Sequence, residues 1–351
     1  MPISGQIRAS AGTVARLRLR WQLGRFMAAT KDCRATQAET LASLLELNGQ
    51  SDLAIQHGLG NASTPDDLDK AVSVTDYSFY REAIERAKRG ETKSLLGPKN
   101  RLMMFTLSSG TTSDSKFIPV TNRFYRDYRR SWQLWGISAF DARPKMKALK
   151  IVQLSSDYQR FTSEGGTPCG NISGLAAAMQ KPSVKLLYTL PSILAKIDNA
   201  ASKYYTALRL AIADPYVGML TTANPSTLVH MAQMADARKE ELIRDINDGT
   251  LSVIDDLPAA VREALARRFS KADPRRAKTL EKCVDRVGSL LPKDYWSDLQ
   301  LAAIWTGGSC AAYLPTLYEY YGNVPVRDHG LSASEGRMTI PFQDTSPDGV
   351  L

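Results

Sequence analysis

Long apolar runs, paired cysteines and clustered histidines are all missing from this 351-residue sequence. No stretch approaches the roughly 18 uninterrupted apolar residues that a membrane span needs, so no transmembrane helix is expected. The four cysteines, Cys33, Cys169, Cys283 and Cys310, are scattered without a C-x-x-C pair. That spacing argues against a zinc site and against a disulfide framework, and reduced thiols in a cytoplasmic protein are the simplest account. The three histidines, His57, His230 and His329, stand alone. None is expected to serve a metal site or a triad, although His329 precedes a loop of interest around Glu335. Internal repeats, low-complexity segments, a signal-peptide core and zinc-finger, RNP or arginine-run signatures are absent as well, so no nucleic-acid partner is expected.

What remains is an ordinary globular composition, 43% hydrophobic and 23% charged, with a net charge of +9. A chain this long buries a real core. The positive balance reads as a generally basic surface that favours anionic ligands. Arg8, Arg16, Arg18, Arg20 and Arg25 precede the first acid, Asp32. An arginine-rich, acid-poor start resembles an organelle transit peptide. However, Val14, Leu17 and Trp21 recur at helical spacing, as do Leu19, Leu23, Phe26 and Met27, which points instead to a helix packed on the core.

Periodicity predicts helices over 12–28 and 35–48, the second opening near the capping pattern Thr36-x-x-Glu39. Further helices are expected at 80–89, 123–140, 258–269 and 275–287, with 192–246 mostly helical around a strand at 217–221. Short apolar segments at 102–107, 117–120, 149–154, 301–305, 324–328 and 338–342 read as strands, and 164–174 as a glycine-rich loop. Helices alternating with short strands indicate an α/β protein, whose ligands sit at loops beyond strand ends. The closing Asp348-Gly349 followed by apolar residues reads as a turn entering a new strand. The expectation is one large domain over 1–351, incomplete at its C-terminal end.

The segment Ser108-Ser109-Gly110-Thr111-Thr112-Ser113-Asp114-Ser115-Lys116 carries the most chemistry. Hydroxyls and backbone N–H groups supply short donors, one glycine permits close approach, and a terminal lysine supplies a movable charge, as a polyphosphate requires. A Walker loop is excluded. The second glycine is missing, and Phe117-Ile118-Pro119-Val120-Thr121 cannot open the helix that such a loop needs. The alternative is an ordinary Ser/Thr-rich hairpin turn. A second constellation runs from Trp305-Thr306-Gly307-Gly308-Ser309 to Leu331-Ser332-Ala333-Ser334-Glu335-Gly336. A glycine pair allows a planar ring to lie flat on backbone. Glu335, the only acid between Asp328 and Asp344, could anchor Mg²⁺, which takes few protein ligands and keeps phosphate and water oxygens. Otherwise Glu335 pairs with Arg337 or caps a turn.

The first loop resembles the S/T-S-G-T-T-G-x-P-K loop of the adenylate-forming superfamily, with Ser113 where glycine is usual and Ser115 where proline is usual. Taken together, the segments resemble the acyl acid amido synthetase branch, the auxin-responsive-promoter or Gretchen Hagen family. The resemblance includes Gln37-x-x-Thr40-Leu41, Gly165-Gly166-Thr167-Pro168-x-Gly170-x-x-Ser173-Gly174, Asn224-Pro225-Ser226-Thr227-Leu228 and Asp245-Ile246-x-x-Gly249-Thr250-Leu251. Glu335 matches the acid of the family's Tyr-Ala-Ser-Ser-Glu motif, and Leu331 replaces its tyrosine.

The resemblance implies an adenylate-forming-enzyme-like large N-terminal domain of mixed β-sheets flanked by helices, with the small C-terminal domain absent. It also implies ATP and Mg²⁺ as cofactors, and a small-molecule carboxylic acid and an amine acceptor as partners, with no membrane partner. By resemblance Ser108, Ser109, Gly110, Thr111 and Thr112 cradle phosphates and Lys116 supports them. Gly307 and Gly308 line the adenine pocket, Ser332 and Ser334 contact nucleotide, and Glu335 holds Mg²⁺. The superfamily's ribose-binding acid and catalytic lysine lie beyond Leu351. An acyl-CoA ligase and a noncatalytic binding module are the competing readings.

Overall fold

The computed structural model describes residues 3–108 and 115–350. Two four-stranded sheets and one small hairpin form its framework. In the first sheet β1 (Leu102–Ser108) pairs antiparallel with β2 (Lys116–Thr121) and parallel with β5 (Pro168–Gly170). There β5 pairs antiparallel with β4 (Phe161–Thr162). The second sheet is wholly parallel, ordered β3 (Lys150–Gln153), β6 (Val217–Thr221), β7 (Leu301–Ala303) and β8 (Val326–Arg327). The strands β9 (Ser332–Ala333) and β10 (Gly336–Arg337) make the hairpin.

A parallel sheet covered on both faces needs strands that are apolar throughout. Val217, Leu301, Ala302 and Ala303 are accordingly wholly buried. The crossovers are helical, and their inward faces complete the main core. Helices Ala200–Ile212, Pro225–Ala237, Lys239–Asp248 and Ala259–Phe269 contribute Tyr205, Leu208, Leu228, Ala232, Leu242, Ile246, Val261 and Leu265. Among the described residues, no helix is long and apolar enough to cross a membrane.

The long helix Asn122–Ala142 positions the rest. Its N-terminus is capped by Thr121, whose Oγ1 accepts the Phe124 N–H at 3.2 Å, the arrangement that satisfies an orphan donor of a first turn. The helix Thr13–Ala29 lies against it, with Leu23 and Phe26 packed on the second core cluster. Arg20 holds the pair together through a two-pronged contact with Asp141 at 2.6 and 2.7 Å. Of the two apolar stripes on this N-terminal helix only that one is partly covered, at Leu23 and Phe26, while its Met27 is exposed. Val14, Leu17 and Trp21 are exposed, because a helix lying on one neighbour buries one face.

Three local expectations are corrected. The helix Cys33–Asn48 is capped by Asp32, whose Oδ1 accepts the Ala35 N–H, while the Thr36 hydroxyl donates to Ala29 O. The stretch 164–174 is not one loop but contains β5 and the start of helix Ile172–Ala178. Met338–Phe342 forms no strand. Ile340 makes an isolated antiparallel bridge with Val350, since the Met338 and Thr339 N–H groups are already given to Leu331 O.

The glycines of 164–174 serve packing. A Cβ on Gly174 would stand 2.1 Å from Ser156 O, closer than any real contact, so the backbone after β3 can lie against this helix only if residue 174 has no side chain. Gly174→Ala is therefore expected to lower stability by about 1–3 kcal/mol, the usual cost of overpacking. Gly24→Ala lies inside a helix with nothing within 4 Å of the added Cβ, and should raise stability by about 0.5–1 kcal/mol. Urea unfolding of the two variants checks the opposite signs.

Candidate functional site

A cavity of about 900 Å³ opens between the two sheets and the long helix. One wall is the aromatic face of that helix, Tyr125, Tyr128, Trp132 and Trp135, whose spacing puts them on one side of an α-helix. The inner surface comes from Ile151 of β3, Met219 and Thr221 of β6, and His329 beyond β8. Thr106 and Leu107 at the end of β1 border it on one side, and Trp305, Ser332, Ala333 and Ser334 on another. Polar groups are numerous in the rest of the lining, among them Gln133, Gln153, Asn171, Asn224 and Lys203. A concave space that joins apolar and aromatic walls to convergent polar groups is a usual form of a small-molecule site. Burial lowers the pKa of the Lys203 ammonium, and the charges of Asp157 and Asp198 pull it back up.

The loops at this cavity are organised by one buried carboxylate. Asp328 Oδ2 accepts the Thr306 N–H at 2.5 Å and the Thr306 hydroxyl at 2.8 Å, and Oδ1 accepts the Gly330 N–H at 2.6 Å. It thereby ties the Thr306-Gly307-Gly308 turn after β7 to the β9–β10 hairpin after β8. The Trp135 indole donates to Asp328 O at 2.9 Å, and the Trp305 indole to Gly330 O at 3.2 Å. Gly330 has φ +85, and a Cβ there would stand 2.4 Å from Thr339 O, so the hairpin closes only on glycine.

The residues singled out from the sequence fall around this cavity in part. Ser332 and Ser334 line it, while Gly307, Gly308 and Glu335 are exposed on the neighbouring loops and are not part of its lining. Ser108 and Lys116 pair across β1 and β2, and the Lys116 ammonium lies 5.6 Å from the ring centre of Tyr77. Ser109, Gly110, Thr111 and Thr112 lie outside the described residues. Glu335 makes no ion pair or hydrogen bond among the described residues, so the alternative in which it pairs with Arg337 is not what forms. Among the described residues no cluster of three acidic, histidine or cysteine side chains could hold a metal. A single free carboxylate fits a Mg²⁺ that brings its remaining oxygens with a polyphosphate.

Sequence reasoning missed Asp328, which was visible as the acid two residues before Gly330. It also missed Tyr77, whose hydroxyl accepts the Phe117 N–H at 2.9 Å and fixes the start of β2. Tyr77 carried no sequence signal, since it lies 40 residues from its partner.

His329 is fully enclosed, with Trp132 and Trp135 edge-on at 4.9 and 5.9 Å and its Nε2 3.4 Å from the Thr221 hydroxyl. Burial first, and the charge of Arg337 second, push its pKa down from 6.5 to about 3. It is a neutral part of the cavity floor.

Comparison with known proteins follows this geometry. A family model described as GH3 family N-terminal domain matches residues 22–326. A jasmonoyl-L-amino acid synthetase of Nicotiana attenuata is 26% identical over 333 residues, covering 91% of this chain and 56% of the relative. One from Oryza sativa subsp. japonica is also 26% identical, covering 93% and 57%. An indole-3-acetic acid-amido synthetase of Arabidopsis thaliana is 23% identical, covering 89% and 53%. The chain thus spans about half the length of the curated relatives it matches. The solved structure of GH3.15 acyl acid amido synthetase superposes with a TM-score of 0.80 at 18% identity, over 92% of this chain and 58% of that one. Its complex with 2,4-DB gives 0.79, also at 18% identity, over 94% and 57%.

Two outcomes follow from the buried groups. Asp328→Ala leaves the Thr306 and Gly330 donors without their acceptor and should cost roughly 3 kcal/mol in urea unfolding. For His329 the folded pKa lies below the unfolded one, so on acidification from about 6.5 towards 3 the unfolded chain takes up a proton that the folded chain refuses. Stability attributable to this residue is therefore lost as pH falls, by about 1 kcal/mol between pH 7 and pH 5.5. His329→Gln should remove that part of the slope in unfolding curves at the two pH values.

Proposed function

Because this chain belongs to the GH3 family, we propose that the full-length protein uses ATP to activate a small carboxylic acid as its acyl-adenylate and then transfers the acyl group to an amine such as an amino acid. A carboxylate is a poor electrophile until one oxygen becomes a good leaving group. Attack of the acid on the α-phosphate of ATP supplies that leaving group and releases pyrophosphate, and the amine then displaces AMP. The first step needs positioning and charge stabilisation more than covalent help from the protein.

One observation carries the reading. The aromatic cavity lies between the end of β1, which leads into the Ser/Thr/Gly loop, and the Ser332–Ser334 hairpin. An acid whose apolar body fills that cavity would present its carboxylate between the end of β1 and that hairpin. In this reading Ser108, Ser109, Gly110, Thr111 and Thr112 cradle the phosphates and Lys116 neutralises them. Gly307 and Gly308 flank the adenine, and Ser332 and Ser334 contact the nucleotide. Glu335 would hold Mg²⁺, which supplies charge neutralisation to the triphosphate. The Tyr125–Tyr128–Trp132–Trp135 wall favours a planar or bulky apolar acyl group, stacked or edge-on. The free thiols Cys33, Cys169, Cys283 and Cys310 support a reducing, cytoplasmic setting.

The test is ATP–pyrophosphate exchange by the full-length protein across a panel of acids that includes indole-3-acetate, jasmonate and benzoate. Acid-dependent exchange that EDTA abolishes is expected. Lys116→Ala and Glu335→Gln should each lower it at least about 10-fold. Wild-type rates in both variants would remove the proposed site, and product formed with coenzyme A but with no amino acid would replace the amine by a thiol.

A further inference from the structure

We propose that Arg337 is a positioning residue that couples filling of the aromatic cavity to the placement of the hairpin bearing Glu335. The inference rests on the adenylating function proposed above. Arg337 sits at the end of β10, two residues beyond Glu335, yet its guanidinium turns away from that acid. Its carbon lies 4.0 Å from the ring centre of Trp132. Nη2 donates to His329 O at 2.5 Å, Nε donates to Thr339 O at 3.3 Å, and Nη1 is buried without a partner. One side chain thus spans the long helix, the segment leaving β8 and the far limb of the hairpin.

What holds Arg337 is unusual for a buried cation. Its hydrogen bonds go to carbonyls and not to a carboxylate, and the oxygens of Asp328 are taken by Thr306 and Gly330. Its charge rests on the π face of Trp132 and on two carbonyls. A cation–π contact is stronger when desolvated than when wet. Trp132 is also a wall of the cavity, so the water content of the cavity sets the strength of the contact. An acid that fills the cavity drives water from beside Trp132, strengthens the stack and pins β10. The pinned hairpin carries Ser332, Ser334 and Glu335 towards the nucleotide. Because coupling between two ligands is reciprocal, acid and Mg·ATP should tighten one another equally.

The experiment measures KM for Mg·ATP in the exchange assay at trace and at saturating concentrations of the best acid among indole-3-acetate, jasmonate and benzoate. In the wild type KM should fall at least about fivefold as the acid saturates, the lower end of ordinary coupling. In Arg337→Gln it should fall less than about twofold, while kcat at saturation of both substrates stays within about threefold of wild type. Arg337→Lys keeps the charge without the planar stack and should retain only part of the coupling, which guards against a folding failure in the glutamine variant. Trp132→Phe should keep the coupling and Trp132→Leu lose it, whatever each does to KM for the acid. Full coupling in Arg337→Gln, or a collapse of kcat with coupling unchanged, overturns the inference and leaves the adenylating function standing. Absence of exchange by the wild type with every acid would overturn both.

Discussion

A single carboxylate, that of Asp328, fixes the relation between the two loops on which the site depends. β7 and β8 are neighbours in a parallel sheet, so their C-terminal ends emerge side by side. Parallel pairing alone leaves the loops beyond those ends free. Asp328 removes that freedom by accepting three hydrogen bonds, two from the turn after β7 and one from the hairpin after β8. The acid is buried, and hydrogen bonds to a charged acceptor are roughly twice as strong as neutral ones. The loss of any partner would leave charge without compensation in a region of low dielectric. Rigidity of the glycine turn and of the hairpin therefore come from the same source.

Much of the framework was legible in the sequence, for reasons that can be named. The strands of the parallel sheet are apolar in short runs, and the helices between them carry caps and periodic apolar faces. The antiparallel turn from β1 to β2 was readable because Phe117-Ile118-Pro119-Val120 suits a strand and not a helix. The motif-bearing hydroxyls, glycines and lone acid stand out in the sequence, and of them Ser332 and Ser334 reach the cavity lining. What could not be read was contact at long range. Trp135 meets Asp328 across 193 positions in the chain, and Trp132 meets Arg337 across a still longer separation. The aromatic residues of the long helix show as an apolar stripe, and a stripe of that kind reads as core. That it faces a cavity follows only from how the sheets are arranged around it. The pairing of Glu335 with Arg337 failed for a related reason. Sequence proximity in a hairpin does not fix side-chain direction, and the stack on Trp132 together with two carbonyl acceptors won over an exposed ion pair worth less than about 1 kcal/mol.

The floor and the anchor of the cavity share an electrostatic logic. His329 is held neutral by burial and by Arg337 beside it. Arg337 is itself lowered to about 10 by burial, with Tyr128 and Asp328 raising it, and it stays charged at neutral pH. A neutral imidazole next to a retained guanidinium avoids two like charges in one dry region. It also leaves the inner surface without net charge beside the space that an apolar acyl group would fill. Cationic groups with access to the cavity, Arg129, Lys181 and Lys203, belong to other parts of its lining. The approach carries three cations and Asp198, and under the proposed function this cationic excess would attract an acid's carboxylate.

Under the proposed function, residues shared between the cavity and the loops around it acquire a use. A site that adenylates an acid must favour the ternary arrangement over either ligand alone, or ATP would be exposed to attack by water. Separate rigid pockets would bind each ligand independently and give no such preference. Here Trp132 lines the cavity with one part of its surface and carries Arg337 on its ring, and Ser332 and Ser334 line the cavity while standing on the hairpin of Glu335. The hairpin is one link between the cavity and the surrounding loops, and the end of β1, which borders the cavity at Thr106 and Leu107, is another. Asp328 holds the base of the hairpin at Gly330, and Arg337 makes its contact on the limb beyond. The two are complementary: the first keeps the loops in register with the sheet, and the second is where the proposed coupling between the cavity and Glu335 would act.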